Sequence, residues 1–469
     1  MSQQPILLND EQIRSFITNG FLILNADFPE AFHQRLTEQL GTIYAEEGNP
    51  GNNLLPRIRE VQQLFDHPTI TGALTSVLGQ DYMLHAHRHG HYNAQPVPGG
   101  WHKDSYWGYS RMRNHHPWWA MIMYFPQDTP LELGPTGVMP GTQNYETRTF
   151  ESDETEGEAY ASGKAGTFAL IHYDIWHRST ANVRGQSRYM LKFEFMRTQV
   201  PQAPSWNNAA ATWTPPADLQ LPIASHDAMW EDTWNWLSGR AGSLAGTRTP
   251  SISEIEELQE QLRDTFEPVQ LNAAYELARC GQQGVAALAQ ALHDERLDVS
   301  RLAAYGLSVS GSEAAQVLRS ALHDTRPETA AHAAFALGEL GASVQPALKE
   351  LAGLMSHPSE IVRLAVVEAF GLIGEASDEA VSSLIRAMQD PVAQVRFTAG
   401  LALAQVGQGA EAAVPYLAEA MEDENRYVRA HAHEALRYIG SEQAKDILIK
   451  ALFNARWCPT TTPANTFYP

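Results

Sequence analysis

The sequence predicts a multidomain protein, with a barrel-like β fold in the N-terminal half and an all-α solenoid in the C-terminal half. Ten of the eleven tryptophans precede residue 240, whereas alanine and leucine dominate beyond it. Glycines then recur at nearly constant spacing, which is typical of stacked structural repeats. A chain of 469 residues is long enough for two or three domains, each with its own core.

The composition excludes several classes of function. A formal net charge of −21 argues against a broad basic surface for nucleic acid. The two cysteines, Cys280 and Cys458, are too few for a disulfide framework and fit a reducing compartment. The chain has no basic, apolar leader at its start and no apolar run of membrane-spanning length. We therefore expect a soluble, cytoplasmic protein that binds neither nucleic acid nor membranes.

The most informative motif is the triplet His102-Lys103-Asp104. On an extended strand, residues two apart point to the same side, so His102 and Asp104 can bind one metal ion. His177 can supply a third ligand if a barrel-like fold brings its strand alongside. Two imidazoles and one carboxylate occupy one face of an octahedral ferrous ion and leave three positions open. The triplet alone has an alternative of similar weight, a pair of polar surface residues on a strand.

A basic residue follows the third histidine and favours the metal-site interpretation. Arg188 opens a strand-like run that continues to Phe195. Its guanidinium can form a bidentate pair with the far carboxylate of a 2-oxo acid that chelates a metal. Arg184 is nearer to His177, but its place beside Gly185 favours a solvated turn residue. The pattern therefore indicates Arg188 as the anchor of a co-substrate.

In these residues the chain resembles the phytanoyl-CoA dioxygenase family of iron- and 2-oxoglutarate-dependent oxygenases. The resemblance covers about the first half of the chain. Leu8 to Leu24 is similar to the family's opening helix and first strand, and Gly134 to Thr142 to the glycine-rich turn between its metal-binding strands. The resemblance implies a double-stranded β-helix (jelly-roll, cupin-like) with flanking helices. It also implies Fe(II), with 2-oxoglutarate and O2 as co-substrates.

The resemblance also implies roles for individual residues. The implied site consists of the iron ligands and the residues that bind 2-oxoglutarate: His102, Asp104 and His177 for the iron, and Arg188 and Ser179 for the carboxylate. Trp119 stands on the strand after the triplet, where the family often places an aromatic ring against the co-substrate. We therefore expect Trp119 to contact 2-oxoglutarate.

The chain both keeps and departs from family features that bear on chemistry. Related halogenases lack the carboxylate ligand, so the presence of Asp104 favours hydroxylation or another oxidation of a C–H bond. Lys103 stands where glutamine is frequent, and a regular strand would point it away from the metal. Thr142-Gln143 stands where Ser-His is frequent.

The C-terminal half is a repeat array. Landmark glycines are spaced by 30 or 33 residues: Gly281, Gly311, Gly341, Gly374, Gly407 and Gly440. Each unit is predicted to be a helix pair, such as Gln394 to Val406 followed by Val414 to Met421. The glycine ends the first helix, where a left-handed residue is needed. Over residues 253 to 455 the array resembles short HEAT-like repeats of the phycobilisome-lyase type.

The same repeats occur in deoxyhypusine hydroxylase, which binds two irons through several His-Glu dipeptides. This array has one such dipeptide, His433-Glu434, so we expect it not to be catalytic. The predicted domains are a catalytic domain at 1–240, a linker at 241–252, the solenoid at 253–455 and a tail at 456–469. The tail is expected to be disordered or to cap the last repeat.

The sequence thus predicts an Fe(II)- and 2-oxoglutarate-dependent dioxygenase that oxidises a small organic substrate and forms succinate. The alternative is a protein-directed hydroxylase, or a scaffold, in which the repeats dock a polypeptide partner. Two segments keep two interpretations each. One alternates four histidines, which either line the cavity or lie on an edge strand: His85, His87, His89 and His91. The acidic segment 151–158 is either a solvated loop or a mobile lid.

Overall fold

The computed structural model describes residues 4–104, 112–151, 156–217, 219 and 224–454. Within these residues, every strand lies in the N-terminal half: β1 (Phe21–Asn25), β2 (Met83–Asn93), β3 (Trp119–Tyr124), β4 (Thr136–Val138), β5 (Ala159–Tyr160), β6 (Thr167–His172), β7 (His177–Ser179) and β8 (Arg188–Met196). Five helices flank them: α1 (Asp10–Asn19), α2 (Glu30–Glu46), α3 (Leu54–Arg57), α4 (Pro68–Leu78) and α5 (Asp227–Leu237). None of the described helices is both long and apolar enough to cross a membrane.

The strands form two antiparallel sheets. The larger has the order β1-β6-β3-β8-β2 and the smaller the order β5-β4-β7. An isolated bridge between His102 and His177 extends the smaller sheet beside β7. This arrangement confirms the predicted jelly-roll with flanking helices.

Strand β8 shows how the sequence builds both a core and a cavity wall. Successive side chains of a strand point to opposite faces of the sheet. Phe193 and Phe195 lie on one face and pack against Phe65, with ring centroids 4.9 and 6.1 Å apart. Arg188 and Lys192 lie on the other face and line an internal cavity. The strand is buried along its whole length because both of its faces are covered.

The predicted opening helix and first strand are confirmed. The Asn9 side chain accepts a hydrogen bond from the Gln12 backbone, and the Gln12 side chain accepts one from the Asn9 backbone. This capping box satisfies donors that the first helical turn leaves without partners. Gly20 ends α1 with φ +78°, a left-handed conformation that favours glycine. The chain then enters β1 at Phe21.

The C-terminal half is a stack of helix pairs. Its helices are α6 (Ile252–Leu262), α7 (Glu267–Arg279), α8 (Gly281–Leu292), α9 (Leu297–Ser308), α10 (Ser312–Ala321), α11 (Pro327–Leu340), α12 (Leu348–Gly353), α13 (Glu360–Ile373), α14 (Asp378–Ala387), α15 (Ala393–Val406), α16 (Val414–Ala420), α17 (Arg426–Ile439) and α18 (Glu442–Asn454). All six landmark glycines have positive φ, which confirms their predicted place between the paired helices. Helices α15 and α16 match the predicted helix pair to within one residue at each end.

Arginines at equivalent positions of successive repeats join each repeat to the next. Arg363 makes two hydrogen bonds to the Asp390 carboxylate, at 2.7 and 3.0 Å. Arg396 makes the equivalent pair to Asp423, at 2.8 and 3.1 Å. Such bidentate pairs fix the geometry between neighbours as well as adding attraction. The arginine that recurs in these repeats therefore connects each repeat to the next.

The predicted linker is packed against the protein and ends inside a helix. Helix α6 begins at Ile252 with a capping box between Ser251 and Glu254, so the last linker residue is helical. Leu244 is 1% exposed, so the linker is packed against the protein. The domain boundaries themselves stay predictions. The tail at 456–469 lies outside the described residues.

The solenoid meets the N-terminal domain at the segment that follows the His-Lys-Asp triplet. The Tyr305 hydroxyl accepts a hydrogen bond from the Arg113 backbone at 2.7 Å, and Glu339 accepts one from Asn114 at 2.7 Å. Glu267 accepts hydrogen bonds from the backbone of residues 146 and 147, both at 2.8 Å. Helices α7, α9 and α11 therefore hold loops of the N-terminal domain.

A second contact lies farther along the solenoid, between α17 and β2. His431 Nε2 is 2.8 Å from His85 Nε2, and the Tyr427 ring stacks with the His85 ring at 6.2 Å. Arg88 and Glu434 form an ion pair at 3.8 Å in the same contact. The solenoid thus contacts the N-terminal domain through both early and late repeats.

Candidate metal centre and co-substrate cavity

The three predicted ligands lie together. His102 and His177 pair through two backbone hydrogen bonds of 3.0 Å, and their ring centroids are 4.4 Å apart. Asp104 Oδ2 lies 3.2 Å from His177 Nε2. One potential ligand atom from each of the three residues lies within 4.8 Å of the others. His102 is exposed at this site, whereas Asp104 and His177 are buried.

Backbone carbonyls fix the tautomer of both histidines. His102 Nδ1 lies 3.0 Å from the Gly100 oxygen, and His177 Nδ1 lies 3.1 Å from the Ile175 oxygen. A carbonyl oxygen only accepts, so each neutral ring carries its hydrogen on Nδ1 and a lone pair on Nε2. Burial and the neighbouring His177 lower the pKa of His102, which favours this neutral form. Both Nε2 atoms are therefore free to bind a metal.

The Asp104 carboxylate divides its oxygens between two roles. Its Oδ1 lies 3.0 Å from the ammonium of Lys192. Its buried Oδ2 accepts no hydrogen bond from any described residue. Burial raises the pKa of this carboxyl, but His177 and Lys192 outweigh burial and hold the pKa well below its usual range. Asp104 is therefore ionised, with one oxygen available.

The donor atoms fit a divalent transition metal. His177 Nε2 and Asp104 Oδ2 lie 3.2 Å apart, so one cation can contact both atoms. Such a cation would also satisfy the buried carboxylate oxygen. Two imidazole nitrogens and one carboxylate oxygen form the facial set that non-haem Fe(II) uses.

A cavity of about 360 Å³ opens beside these ligands. Its lining includes the three ligands, Lys192, Arg188 and Ser179. Arg188 Nε donates to the Gly134 oxygen at 2.9 Å, while its buried Nη1 has no hydrogen-bond partner among the described residues. Burial lowers the pKa of Arg188 to about 10, so the guanidinium stays charged at neutral pH. A buried, charged donor without a partner fits a carboxylate ligand.

Ser179, on β7, also lines this cavity. Its backbone oxygen accepts a hydrogen bond from Gly99 at 2.9 Å, and the same residue pairs with Thr136 on β4. A Cβ at Gly99 would lie 2.7 Å from the Ser179 hydroxyl, closer than real contacts allow. Glycine at position 99 therefore leaves the hydroxyl uncovered toward the cavity.

The structure places Trp119 away from the other predicted site residues. Trp119 lies on β3, as predicted, but it packs against His85 and Tyr173, at 5.4 and 5.5 Å between ring centroids. It is not among the residues that line the cavity, where Met123 represents β3 instead. The predicted contact of Trp119 with 2-oxoglutarate stays a prediction.

Lys103 points away from the candidate metal centre, as expected for the residue between two ligands. Its Nζ donates to the Thr142 oxygen at 3.2 Å and lies 5.6 Å from the centroid of the Trp176 ring. Burial lowers the pKa of this lysine to about 7.

Sequence reasoning missed Lys192 and Glu194, which are buried behind the ligands. Lys192 binds Asp104, and Glu194 lies 3.6 Å from Lys192. Both stand an even number of positions after Arg188 on β8. Period-two alternation from Arg188 was therefore the signal that could have found them.

The last residue of the acidic segment, for which a solvated loop and a mobile lid were both predicted, is buried. Glu158 is buried, and its carboxylate forms a bidentate pair with Arg178 at 2.6 and 2.9 Å. The Arg178 guanidinium also stacks over the Trp101 ring at 4.4 Å. Glu158 turns inward because Arg178 compensates its charge. Residues 152–155 lie outside the described part of the chain.

The four histidines of β2 combine both interpretations. The strand forms an edge of the larger sheet, and His91 lines the cavity. His87 and His89 stack, with ring centroids 5.6 Å apart, whereas His85 faces Glu194 and the solenoid. Burial is the largest influence on all four residues and lowers each pKa, so these imidazoles are neutral at pH 7.

Comparisons with known proteins agree with the division of the chain into an N-terminal β domain and a C-terminal helical array. Residues 24–190 match the phytanoyl-CoA dioxygenase family, and residues 255–328, 315–404 and 381–456 match HEAT repeats. The N-terminal domain is therefore that of an iron- and 2-oxoglutarate-dependent oxygenase, and the C-terminal domain is a HEAT-repeat array. A search of curated proteins finds no match.

Three solved structures illustrate the similarity. HygX from Streptomyces hygroscopicus, with nickel and 2-oxoglutarate bound, is 12% identical over 41% of this chain and 88% of its own, with a TM-score of 0.34. SnoK, a non-haem α-ketoglutarate-dependent carbocyclase from nogalamycin biosynthesis, is 15% identical over 46% and 92%, with a TM-score of 0.34. An engineered protein is 22% identical over 41% and 97%, with a TM-score of 0.30. TM-scores at this level carry no functional inference.

Proposed function

We propose that this chain, which joins a phytanoyl-CoA dioxygenase domain to HEAT repeats, oxidises a C–H bond of a small organic substrate, most simply by hydroxylation. In this reaction one atom of dioxygen enters the substrate as the hydroxyl oxygen and the other enters 2-oxoglutarate, which loses carbon dioxide and becomes succinate. One observation carries the proposal. The facial ligand set and Arg188 Nη1, which has no hydrogen-bond partner among the described residues, lie in the wall of the same cavity.

The residues of the chain divide the work between metal and co-substrate. His102 and His177 would hold Fe(II) through Nε2, and Asp104 would hold it through Oδ2. When bound, the iron supplies the redox chemistry with dioxygen and keeps positions open for 2-oxoglutarate. Arg188 would bind the far carboxylate of 2-oxoglutarate, and the Gly134 carbonyl orients its guanidinium for that contact.

Lys192 restricts how Asp104 can bind a metal. Its ammonium engages Oδ1 at 3.0 Å, so Oδ2 is the oxygen left for the metal. A carboxylate bound through one oxygen occupies one coordination position, and the two histidines occupy two more. Lys192 would thereby limit Asp104 to one metal–oxygen bond and leave room for the co-substrates to bind the metal.

The test is turnover of 2-oxoglutarate without a substrate. We expect the wild-type protein to form succinate slowly when Fe(II) is added, and His102→Ala to lose both this turnover and tight iron binding. His293→Ala is a matched control, because His293 is about half exposed on the solenoid and pairs there with Asp324. Absence of turnover and of iron binding in the wild type would contradict the proposal.

A polypeptide substrate docked on the repeats is the alternative, and the contacts do not favour it. The helices that would offer a docking face, α7, α9, α11 and α17, already contact the protein's own N-terminal domain. A partner protein would have to bind the other surfaces of the solenoid. We therefore assign the small organic substrate as the first candidate.

A further inference from the structure

A continuous row of buried polar groups runs from the candidate metal centre to the solenoid. It begins at Asp104 and passes to Lys192 at 3.0 Å and from there to Glu194 Oε1 at 3.6 Å. Glu194 Oε2 lies 3.2 Å from His85 Nδ1, and His85 Nε2 lies 2.8 Å from His431 Nε2 on α17. All five side chains are buried, with exposed fractions of 5% or less.

The solenoid end of this row sets the direction of its hydrogen bonds. His431 Nδ1 lies 2.7 Å from the backbone oxygen of Phe397, which can only accept. The hydrogen of His431 is therefore on Nδ1. Burial and the nearby His85 hold the pKa of His431 well below its usual range, so the ring is neutral and Nε2 has a lone pair. It follows that His85 Nε2 carries the hydrogen and donates to His431.

A contact at His85 Nδ1 independently indicates that the hydrogen of His85 is on Nε2. The backbone N–H of His87 donates to His85 Nδ1 at 3.3 Å, so this nitrogen also carries a lone pair. Burial lowers the pKa of His85 to about 3, which excludes a cationic ring. Glu194 Oε2, 3.2 Å away, can then form a hydrogen bond only by donating one.

We propose that Glu194 is a protonated carboxylic acid, held in that form by His85 and by His431 of the solenoid, and that it thereby reserves Lys192 for Asp104. A neutral Glu194 does not compete with Asp104 for the ammonium of Lys192. The distances agree, because Lys192 lies 3.0 Å from Asp104 but 3.6 Å from Glu194. The solenoid is then a positioning element of the metal centre. This inference rests on the proposed function for its purpose, but not for its test.

The surroundings of Glu194 support the neutral form. His85 and His87 face it from β2, Lys192 lies beside it on β8, and Asp104 lies beyond Lys192. On the β3 side its register partner is the uncharged Met121. Burial raises the pKa of Glu194, Lys192 opposes this, and the net result is a pKa of about 8. Among the described groups, Lys192 is the cation beside Glu194, and it is closer to Asp104. It therefore does not keep the buried Glu194 carboxyl ionised.

The direct test is infrared spectroscopy of the metal-free protein, in which a protonated carboxylic acid has its own C=O band. We expect this band at neutral pH in the wild type and its loss in Glu194→Gln. Glutamine keeps the shape and can still donate to His85. Glu158→Gln is the matched control, because Glu158 is a buried carboxyl group that accepts two hydrogen bonds from the Arg178 guanidinium and does not contact Glu194 or His85 in any described hydrogen bond. A wild-type spectrum at pH 7 without the Glu194 band would overturn the proposal.

The role of the solenoid is tested by a pair of variants at position 431. His431→Leu removes the acceptor, so His85 can move its hydrogen to Nδ1 and donate to an ionised Glu194. We expect the acid band to disappear at lower pH in this variant than in the wild type. His431→Gln can present an oxygen to His85 and should keep the wild-type midpoint. Equal midpoints in the leucine variant and the wild type would remove the solenoid from the proposal.

Metal affinity tests the link to Asp104 without requiring turnover. As pH rises through about 8, Glu194 ionises in the wild type and attracts Lys192 away from Asp104. We expect the Ni(II) affinity of the wild type to fall relative to that of Glu194→Gln, by up to about tenfold, as for loss of an outer-shell partner. Superimposable pH profiles would contradict the positioning role. A protein that turns over no 2-oxoglutarate would still give both readouts, so the two proposals can fail separately.

Discussion

The two contacts between the solenoid and the N-terminal domain use opposite electrostatics. At the early repeats, His116 lies between Asp232 of α5 and Glu339 of α11, 2.8 Å from each. Burial alone would lower the pKa of His116, but the two carboxylates raise it to about 9. At the late repeats, His85 and His431 are neutral and share one hydrogen bond.

The difference shows what each contact can do. A buried cation between two carboxylates holds two elements together, and it fails strongly when one partner is removed. Two neutral histidines add no ionic attraction. Their hydrogen bonds have a fixed direction, however, and this direction determines whether Glu194 donates or accepts. We infer that the first contact fastens the solenoid and that the second one orients groups behind the metal ligands.

The largest expected effect is at the charged contact. Glu339→Gln removes one of the two carboxylates that compensate His116 and should lower the free energy of unfolding by about 3 kcal/mol, as for breaking a buried ion pair. Urea denaturation measures this change. Glu350→Gln is the control, because its pair with Arg319 is accessible to solvent and its loss should cost far less stability than the loss of a buried partner. Equal effects of the two substitutions would refute the fastening role.

A smaller loss of stability is expected at the neutral contact. His431→Leu leaves the buried Nε2 of His85 without its hydrogen-bond partner, whichever ring nitrogen then carries the hydrogen, and this loss costs about 1–2 kcal/mol. The same denaturation experiment measures it. A loss larger than that of Glu339→Gln would reverse the comparison between the two contacts.

The pH dependence of stability separates the contacts further. The folded-state pKa of His116 is raised from 6.5 to about 9, so its stabilisation is complete below pH 6.5 and is lost as pH rises through 9. The folded-state pKa of Glu194 is raised from 4.5 to about 8, so the stabilisation that comes from its bound proton is lost at lower pH than that of His116. Melting temperatures between pH 5 and 9.5 should fall less steeply in His116→Gln above pH 6.5. Parallel curves for this variant and the wild type would show that His116 is not charged in the folded protein.

Sequence patterns predicted those parts of the molecule that depend on local spacing. Alternation on a strand predicted that His102 and Asp104 face one way, and the glycine spacing predicted the ends of the helices. The same alternation places Lys192 and Glu194 on the face of β8 that carries Arg188. The contact of His85 with His431 spans 346 positions, and no local pattern indicates which repeat meets β2. No local pattern indicates that Glu158 turns inward either, because its partner Arg178 lies 20 positions farther along the chain, on β7.

The most direct test of the central claim is 2-oxoglutarate binding to the nickel-loaded protein. We predict that Arg188→Gln binds Ni(II) as the wild type does but binds 2-oxoglutarate more than about tenfold more weakly, because loss of one partner of a buried charge pair costs about 2 kcal/mol or more. Calorimetric titration gives both affinities. Unchanged 2-oxoglutarate affinity in Arg188→Gln, or a wild-type protein that binds no metal, would contradict a shared cavity for metal and co-substrate.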